Sequence, residues 1–296
     1  MSKLTGRILK NYNGFYYVAA EGTEYTCKLK GKLKQNRFSL ATGDLVEFET
    51  GNGNEGMIMQ ILPRRNFLTR PTLANLDLFV LTMACATPDF SYLLTDKLLL
   101  LAERAQIPVV LVLNKTDLVE PAQVEQIAST YRKIGYEVYP ISAKHLQGVT
   151  ELRERLRGKI CALGGPSGVG KSSTLNALDS SVGLRTGEVS EKLGRGKHTT
   201  RYAQLLPFDE GYLADTPGFG NLYLEELTKE ELPLLFREFA SYEDGCRFCP
   251  CSHTHEPICG VKEAVARGDI ASSRYESYLS ILEELKELQE RGLKLW

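Results

Sequence analysis

Gly165-Pro166-Ser167-Gly168-Val169-Gly170-Lys171-Ser172 carries the spacing G-x-x-x-x-G-K-[ST], a backbone cradle for phosphate groups. The glycines let successive N–H groups turn inward, and a helix starting near Ser172 adds its partial positive charge. Lys171 is placed to reach the β- and γ-phosphates, Ser172 to ligate magnesium, and Ser173 to line the same turn. Base choice must come from elsewhere. Asn114-Lys115-Thr116-Asp117 follows an apolar run. A carboxylate at Asp117 accepts from guanine N1–H and the 2-amino group, a donor pair that adenine lacks. Asn114 would secure the loop, and the stem of Lys115 would pack on the ring. Ser142-Ala143-Lys144 matches a companion loop that meets the guanine carbonyl through a backbone N–H.

Asp215-Thr216-Pro217-Gly218 fits D-x-x-G, in which the Asp holds magnesium through water and the Gly N–H faces the γ-phosphate. Between the two phosphate motifs lies Gly194-Arg-Gly-Lys-His198-Thr199-Thr200-Arg201. One threonine there should complete the magnesium shell, Thr200 ahead of Thr199. The residue after D-x-x-G, where a glutamine would orient the attacking water, is Phe219, which cannot hold water. His198 is the candidate for that role, since a near-neutral imidazole can orient or accept from water. A second constellation, Cys246-x4-Cys251-x-His253-x5-Cys259, offers three thiolates and an imidazole, a closed tetrahedral set that suits structural zinc. Cys249 could replace Cys246 and His255 could compete with His253. Cys27, Cys85 and Cys161 sit in apolar patterns and read as core.

These residues need three kinds of scaffold. Five short strands with turn signals between them (Leu4–Lys10, Gly14–Ala20, Glu24–Leu29, Asp44–Glu49, Gly56–Leu62) predict a small barrel of OB or SH3-like type. From about residue 75, strands alternate with helices, the signature of a parallel sheet covered on both faces. It binds its ligand at the carboxyl ends of its strands. After residue 220 the pattern turns helical, over Lys229–Tyr242, Val261–Arg267 and Ser272 to about Gly292, interrupted by the Cys/His run. The fold class is therefore multidomain: an N-terminal OB-type barrel (1–68), a central α/β phosphate-loop GTPase domain (69–225) and a C-terminal helical zinc-binding domain (226–296).

Charge divides along the same lines. Residues 1–70 hold eleven Lys/Arg against six Asp/Glu, and residues 226–296 nine against fourteen, within a formal net charge of −1. The basic Lys28–Arg37 stretch is a candidate phosphate-facing surface. Seven cysteines, an odd number crowded near histidines, argue for a reducing compartment rather than a disulfide framework. With no apolar run of about 18 residues and no leader pattern, the chain is expected in the cytoplasm and not in a membrane.

The motif order is unusual. N-K-x-D and S-A-K precede the phosphate loop and D-x-x-G, so the central domain reads as a circular permutation whose second switch leads directly into the C-terminal domain. With its barrel and Cys/His segment, the chain resembles the bacterial ribosome-small-subunit-dependent GTPase A family over nearly its whole length. The resemblance implies GTP hydrolysis to GDP, stimulated by the 30S subunit during late assembly, with contacts to 16S rRNA and action as a monomer. It also implies a catalytic His ahead of two threonines, matching His198, and three Cys with one His at the spacing found here. The competing expectation is a guanine-nucleotide-dependent RNA-binding switch whose hydrolysis is incidental.

Overall fold

The computed structural model describes residues 2–31, 40–69, 71–179, 203–215 and 227–290, with the backbone alone at 215. Strands β1 (Lys3–Tyr12), β2 (Phe15–Ala20), β3 (Thr23–Leu29), β4 (Leu45–Thr50) and β5 (Glu55–Ile61) close a barrel in the order β1-β2-β3-β5-β4. All neighbours are antiparallel except β3 and β5, the Greek-key closure expected of an OB-type barrel. Two-residue alternation turns Ile8, Val18, Cys27, Val46, Phe48 and Ile58 inward, each with no exposed surface. Leu9 is the extra residue of a bulge between Ile8 and Lys10. It packs on the core of the next domain instead of the barrel's. The barrel is seated there by Thr42, whose Oγ1 donates to the Ala203 carbonyl at 2.8 Å.

A short hairpin, β6 (Phe67–Leu68) with β7 (Leu73–Ala74), leads into a six-stranded sheet. Its strands are β8 (Leu78–Ala84), β9 (Val109–Asn114), β10 (Glu137–Pro140), β11 (Ile160–Gly164), β12 (Gln204–Phe208) and β13 (Gly211–Asp215), in the order β10-β9-β8-β11-β13-β12. All pairs are parallel except β12 with β13. Helices α1 (Tyr92–Arg104) and α2 (Pro121–Lys133) cover one face, and α3 (Val149–Leu156) and α4 (Lys171–Leu178) the other. Ser91 caps α1 by accepting from the Leu94 N–H at 3.2 Å.

In the C-terminal part the helix expected over Lys229–Tyr242 is broken into α5 (Leu232–Leu235) and a 3₁₀ turn, Ala240–Gly245. Pro233 lies in the first turn of α5, and Phe236 leaves the helix with φ −88° and ψ 91°. The break turns both Phe236 and Phe239 onto Tyr278, with ring centroids 5.3 and 5.0 Å away, a burial worth more than a few helical hydrogen bonds. Helices α6 (Gly260–Arg267) and α7 (Ser272–Glu290) complete this unit, and its core takes in Leu100 of α1.

A buried charge cluster fastens α7 to α1. The Arg274 guanidinium, 1% exposed, donates to Glu238 at 2.7 Å and to Asp96 at 2.6 Å, and the Tyr131 hydroxyl also donates to Asp96. Burial pushes the Asp96 carboxyl up against the pull of Arg274. Arg274→Ala would leave two buried carboxylates unpaired, so we expect a loss of about 3–5 kcal/mol of stability in chemical denaturation. An unchanged midpoint would show that the cluster contributes nothing to the docking of α7.

Candidate functional site

Every described nucleotide motif lies at the carboxyl end of a parallel strand: N-K-x-D after β9, S-A-K after β10, the phosphate loop after β11 and the first residue of D-x-x-G at the end of β13. At Gly165 (φ +139°) an added Cβ would lie 2.1 Å from the Thr82 carbonyl oxygen of β8, so only glycine fits this turn. Lys171, the first residue of α4, donates from Nζ to the carbonyls of Gly165 (2.8 Å) and Pro166 (2.7 Å). Burial lowers its pKa. The ammonium is thus stored inside the loop whose N–H groups would face the phosphates. Ser167 and Gly168 at the loop tip, and Ser172 and Ser173 on the first turn of α4, are exposed.

Asn114 joins the three loops. Its side chain is buried, donates to the Val169 carbonyl at 3.0 Å, and accepts from the N–H groups of Lys115 (2.8 Å) and Ala143 (3.1 Å). The fit is close, since a Cβ on Gly170 would approach Asn114 Nδ2 to 2.3 Å. Lys115, in a left-handed conformation, spans from the base loop to the phosphate loop, donating to the carbonyls of Gly168 (2.7 Å) and Thr87. Asp117 accepts from the Ser142 hydroxyl at 2.6 Å, and His145 Nε2 stands 3.6 Å from its other oxygen. The Ser142 hydrogen bond, with burial opposing it, holds the Asp117 carboxyl below its ordinary range. The Thr116 N–H is bound by the Ile141 carbonyl at 3.2 Å, and Lys144 is exposed.

The Cys/His segment forms a second centre. The donor atoms of Cys246, Cys251, His253 and Cys259 lie within 4.8 Å of one another. Cys246 Sγ is 3.7 Å from His253 Nδ1 and 3.9 Å from Cys259 Sγ, which is 3.4 Å from the same nitrogen. A tetrahedral ion with metal–sulfur bonds of about 2.3 Å and a metal–nitrogen bond of about 2.0 Å demands donor separations of about 3.5–3.8 Å, so these three separations suit a small tetrahedral cation. Burial lowers the His253 pKa, favouring the neutral imidazole that ligates. The loop is braced from α7, whose Tyr275 and Tyr278 hydroxyls donate to the carbonyls of His253 (2.7 Å) and Ser252 (2.6 Å). Burial alone would raise the Glu256 carboxyl, but donors on Ser252 and Thr254 pull it to about 2. Cys249 and His255 are exposed and stand outside the cluster. Cys251→Ser should therefore abolish stoichiometric metal in elemental analysis and expose residues 227–290 to hydrogen exchange. Cys249→Ser should retain full metal, and loss there would return Cys249 to the ligand set.

Residues 61–225 match the family described as RsgA GTPase, and residues 5–58 match the RsgA N-terminal domain. The chain belongs to the RsgA GTPase family. GTP hydrolysis is the activity of this family, and the chain is accordingly an enzyme of that class. A relative from Caldanaerobacter subterraneus subsp. tengcongensis, described as small ribosomal subunit biogenesis GTPase RsgA, is 44% identical over 99% of this chain and 100% of its own. One from a Geobacillus species with the same description is 44% identical over 97% and 99%. Among solved structures, YjeQ from Thermotoga maritima superposes with a TM-score of 0.84 at 38% identity, covering 96% of this chain and 99% of that one. YloQ, described as a circularly permuted GTPase, superposes with 0.82 at 31% identity, covering 97% and 96%.

In this RsgA-family chain the permuted motif order leaves the sheet intact while moving the cut in the chain. His198, Thr199 and Thr200, together with Gly218 and Phe219, lie outside the described residues. So does the rest of Lys28–Arg37 beyond residue 31. Sequence reasoning missed the loop between β8 and α1, where the Thr87 carbonyl holds Lys115 and Pro88 lies 3.6 Å from the Cβ position of Gly168. No motif marks that loop. It also missed β12, a strand that contains Pro207. The structure puts β12 at the sheet edge, where a residue without an N–H is tolerated. Cys27 and Cys161 are buried in the barrel and sheet cores, and burial raises their thiols to about 11 and about 12. Among the described residues no helix is long and apolar enough to cross a membrane.

Proposed function

We propose that this RsgA-family GTPase acts in biogenesis of the small ribosomal subunit, binding the 30S particle through its barrel and C-terminal unit and hydrolysing GTP when seated there. The observation that carries the nucleotide assignment is Asn114, which ties the base loop, its companion and the phosphate loop together in a chain whose relatives are described as small-subunit biogenesis GTPases. In this reading residues 165–173 hold the phosphates, Asn114 to Asp117 and Ser142 to Lys144 hold guanine, and Asp215 and Gly218 face the γ-phosphate. Ser172 and Thr200, with Asp215 through water, would hold magnesium, which supplies charge neutralisation across the β- and γ-phosphates. Cys246, Cys251, His253 and Cys259 would hold one structural zinc ion. The division at 68/69 and 225/226 separates the three units, and the enzyme works in the cytoplasm as a monomer.

His198 is proposed to orient the attacking water, in place of the glutamine position occupied by Phe219. Phosphate release measured with and without 30S subunits, with 50S subunits and free RNA as controls, tests the whole reading. The free enzyme should turn over at about 10⁻⁴–10⁻² per second, and 30S subunits alone should raise that rate. No stimulation, with nucleotide binding intact, would leave a GTPase acting on another partner. His198→Ala should lower the stimulated rate by about 10²-fold at unchanged GDP affinity, and an equal rate would move the catalytic role elsewhere.

A further inference from the structure

The barrel holds β12 at its start, the end of that strand beside the nucleotide motifs. β12 runs antiparallel to β13, and its first rung pairs Gln204 with Asp215, the residue that opens D-x-x-G. One residue earlier, the Ala203 carbonyl accepts from the Thr42 hydroxyl at 2.8 Å. Ala203 and Leu205 share a buried apolar cluster with Leu9, the bulge residue of β1. The other end of β12, at Phe208, turns back into β13 on the side of the sheet away from the motifs.

Thr42 is presented by a turn that is tied on every side. Its own carbonyl accepts from the Ala74 N–H of β7 at 2.9 Å. The Gly43 N–H donates to the Ile8 carbonyl at 2.8 Å, and the Gly43 carbonyl accepts from Arg7 (2.8 Å) and Asn75 (3.2 Å). Asp44, fully buried, accepts from the Ala41 N–H at 2.8 Å and from the Arg64 guanidinium at 2.7 and 2.8 Å. The Thr42 hydroxyl is thus a fixed donor, 94% of its residue's surface being covered in a side chain 6% exposed.

Chain connectivity carries this contact toward the reaction. Thr200 stands three residues before Ala203, and His198 five. Three residues span at most about 10 Å, so the place at which Ala203 is held limits where the preceding segment can reach. The same anchor lies one rung from Asp215. Catalytic groups must be held in register with the bond they act on, and a misplacement of about 1 Å, even from a distant change, can cost about 10²-fold in rate.

We propose that Thr42 is a positioning residue for GTP hydrolysis: its hydrogen bond to Ala203 fixes where the segment carrying His198 and Thr200 joins the sheet, and so ties the seat of the barrel to the cleavage of bound GTP. The proposal rests on the reading that this segment supplies a magnesium ligand and the water-orienting imidazole. It adds a residue that lies outside every nucleotide motif.

Single-turnover hydrolysis of GTP with magnesium by the full-length protein tests it, beside the affinity for a fluorescent GDP analogue. Thr42→Val keeps the shape of the side chain and removes the donor. It should lower the rate by about 10–100-fold and leave GDP affinity within about twofold of the wild type, because the base and phosphate loops follow β9, β10 and β11. Thr42→Ser keeps the donor and should restore the rate. Thr42→Ala, smaller and also without the donor, replaces the valine variant if circular dichroism shows that valine disturbs the fold. A wild-type rate in the folded donor-less variant would overturn the proposal. An equal loss in Thr42→Ser would overturn it too, assigning the effect to packing, as would a matching loss of GDP affinity, which would make Thr42 a purely structural residue. Normal hydrolysis by both His198→Ala and Thr200→Ala would instead sink the reading of the segment.

Discussion

Asp117→Asn should turn a guanine site into a xanthine site. The Asp117 carboxylate is held by the Ser142 hydroxyl, which donates to Oδ1 at 2.6 Å. An amide at this position keeps that bond only by giving its oxygen to Ser142. Its NH₂ group is then directed toward the base, where a carboxylate oxygen stood. Guanine brings N–H donors to that place and would meet a donor, whereas xanthine brings a carbonyl at C2 and would meet a partner. A site built to hydrogen-bond one pattern rejects the mismatched one by roughly 10⁴-fold, so GTP affinity should fall by about that order and XTP should gain. Competition of GTP and XTP against a fluorescent GDP analogue reads both. Retention of the GTP preference would remove Asp117 from the base site. Ser142→Ala offers a check on the orienting role, since without the donor the amide can flip and the exchange of specificity should blur.

Lys171→Ala should lower turnover at saturating GTP by about 10²–10³-fold, the usual cost of deleting one preplaced donor to a developing charge. Lys171 Nζ rests on the Gly165 and Pro166 carbonyls, so a phosphate entering the loop meets the ammonium by a side-chain swing and not by refolding of the backbone. Burial lowers the Lys171 pKa, and an anion beside it favours the charged form again. Alanine is the best helix former and Lys171 opens α4, so the helix should survive the substitution. Phosphate release and circular dichroism together make the test. Normal turnover in a folded variant would exclude the lysine from transition-state stabilisation, and GTP binding should weaken alongside the rate.

The two centres are connected by packing as well as by chain. Thr87, whose carbonyl holds Lys115, lies in the loop that runs to Ser91, the cap of α1. That helix carries Asp96 and Lys97, which bind Arg274 and Glu284 of α7. In the sequence, the second switch leads directly into the C-terminal domain. The structure adds a docked helix, α1, whose first residue is only a few positions from the base loop's partner.

What could be read directly were features set within a few residues of each other. Strand and helix alternation follows from hydrophobic periods of two and about 3.6. The phosphate loop is legible because a tight turn around an anion restricts the residue types that can form it, and Gly165 meets that restriction against Thr82. The barrel strands were legible because inward and outward residues alternate along them, with interruptions at Leu9 of β1 and Met59 of β5. The continuous helix over 229–242 failed for the opposite reason. Its local pattern is helical, but burying Phe236 and Phe239 on Tyr278, far along the chain, gains more than the hydrogen bonds the break removes. Among the Cys and His residues, composition left Cys246 against Cys249 and His253 against His255 open. Cys246 and His253 face the common centre, while Cys249 and His255 face solvent, because the loop is oriented by Tyr275, Tyr278 and the donors around Glu256. Asn114 shows the same division. Its motif named it as a base-loop residue, but only the closed sheet brings its amide to the Val169 carbonyl and the Ala143 N–H. Sequence determined which groups are present and which turns they permit. Tertiary packing decided which of them meet, because contacts between residues far apart in the chain depend on how whole elements bury their apolar faces.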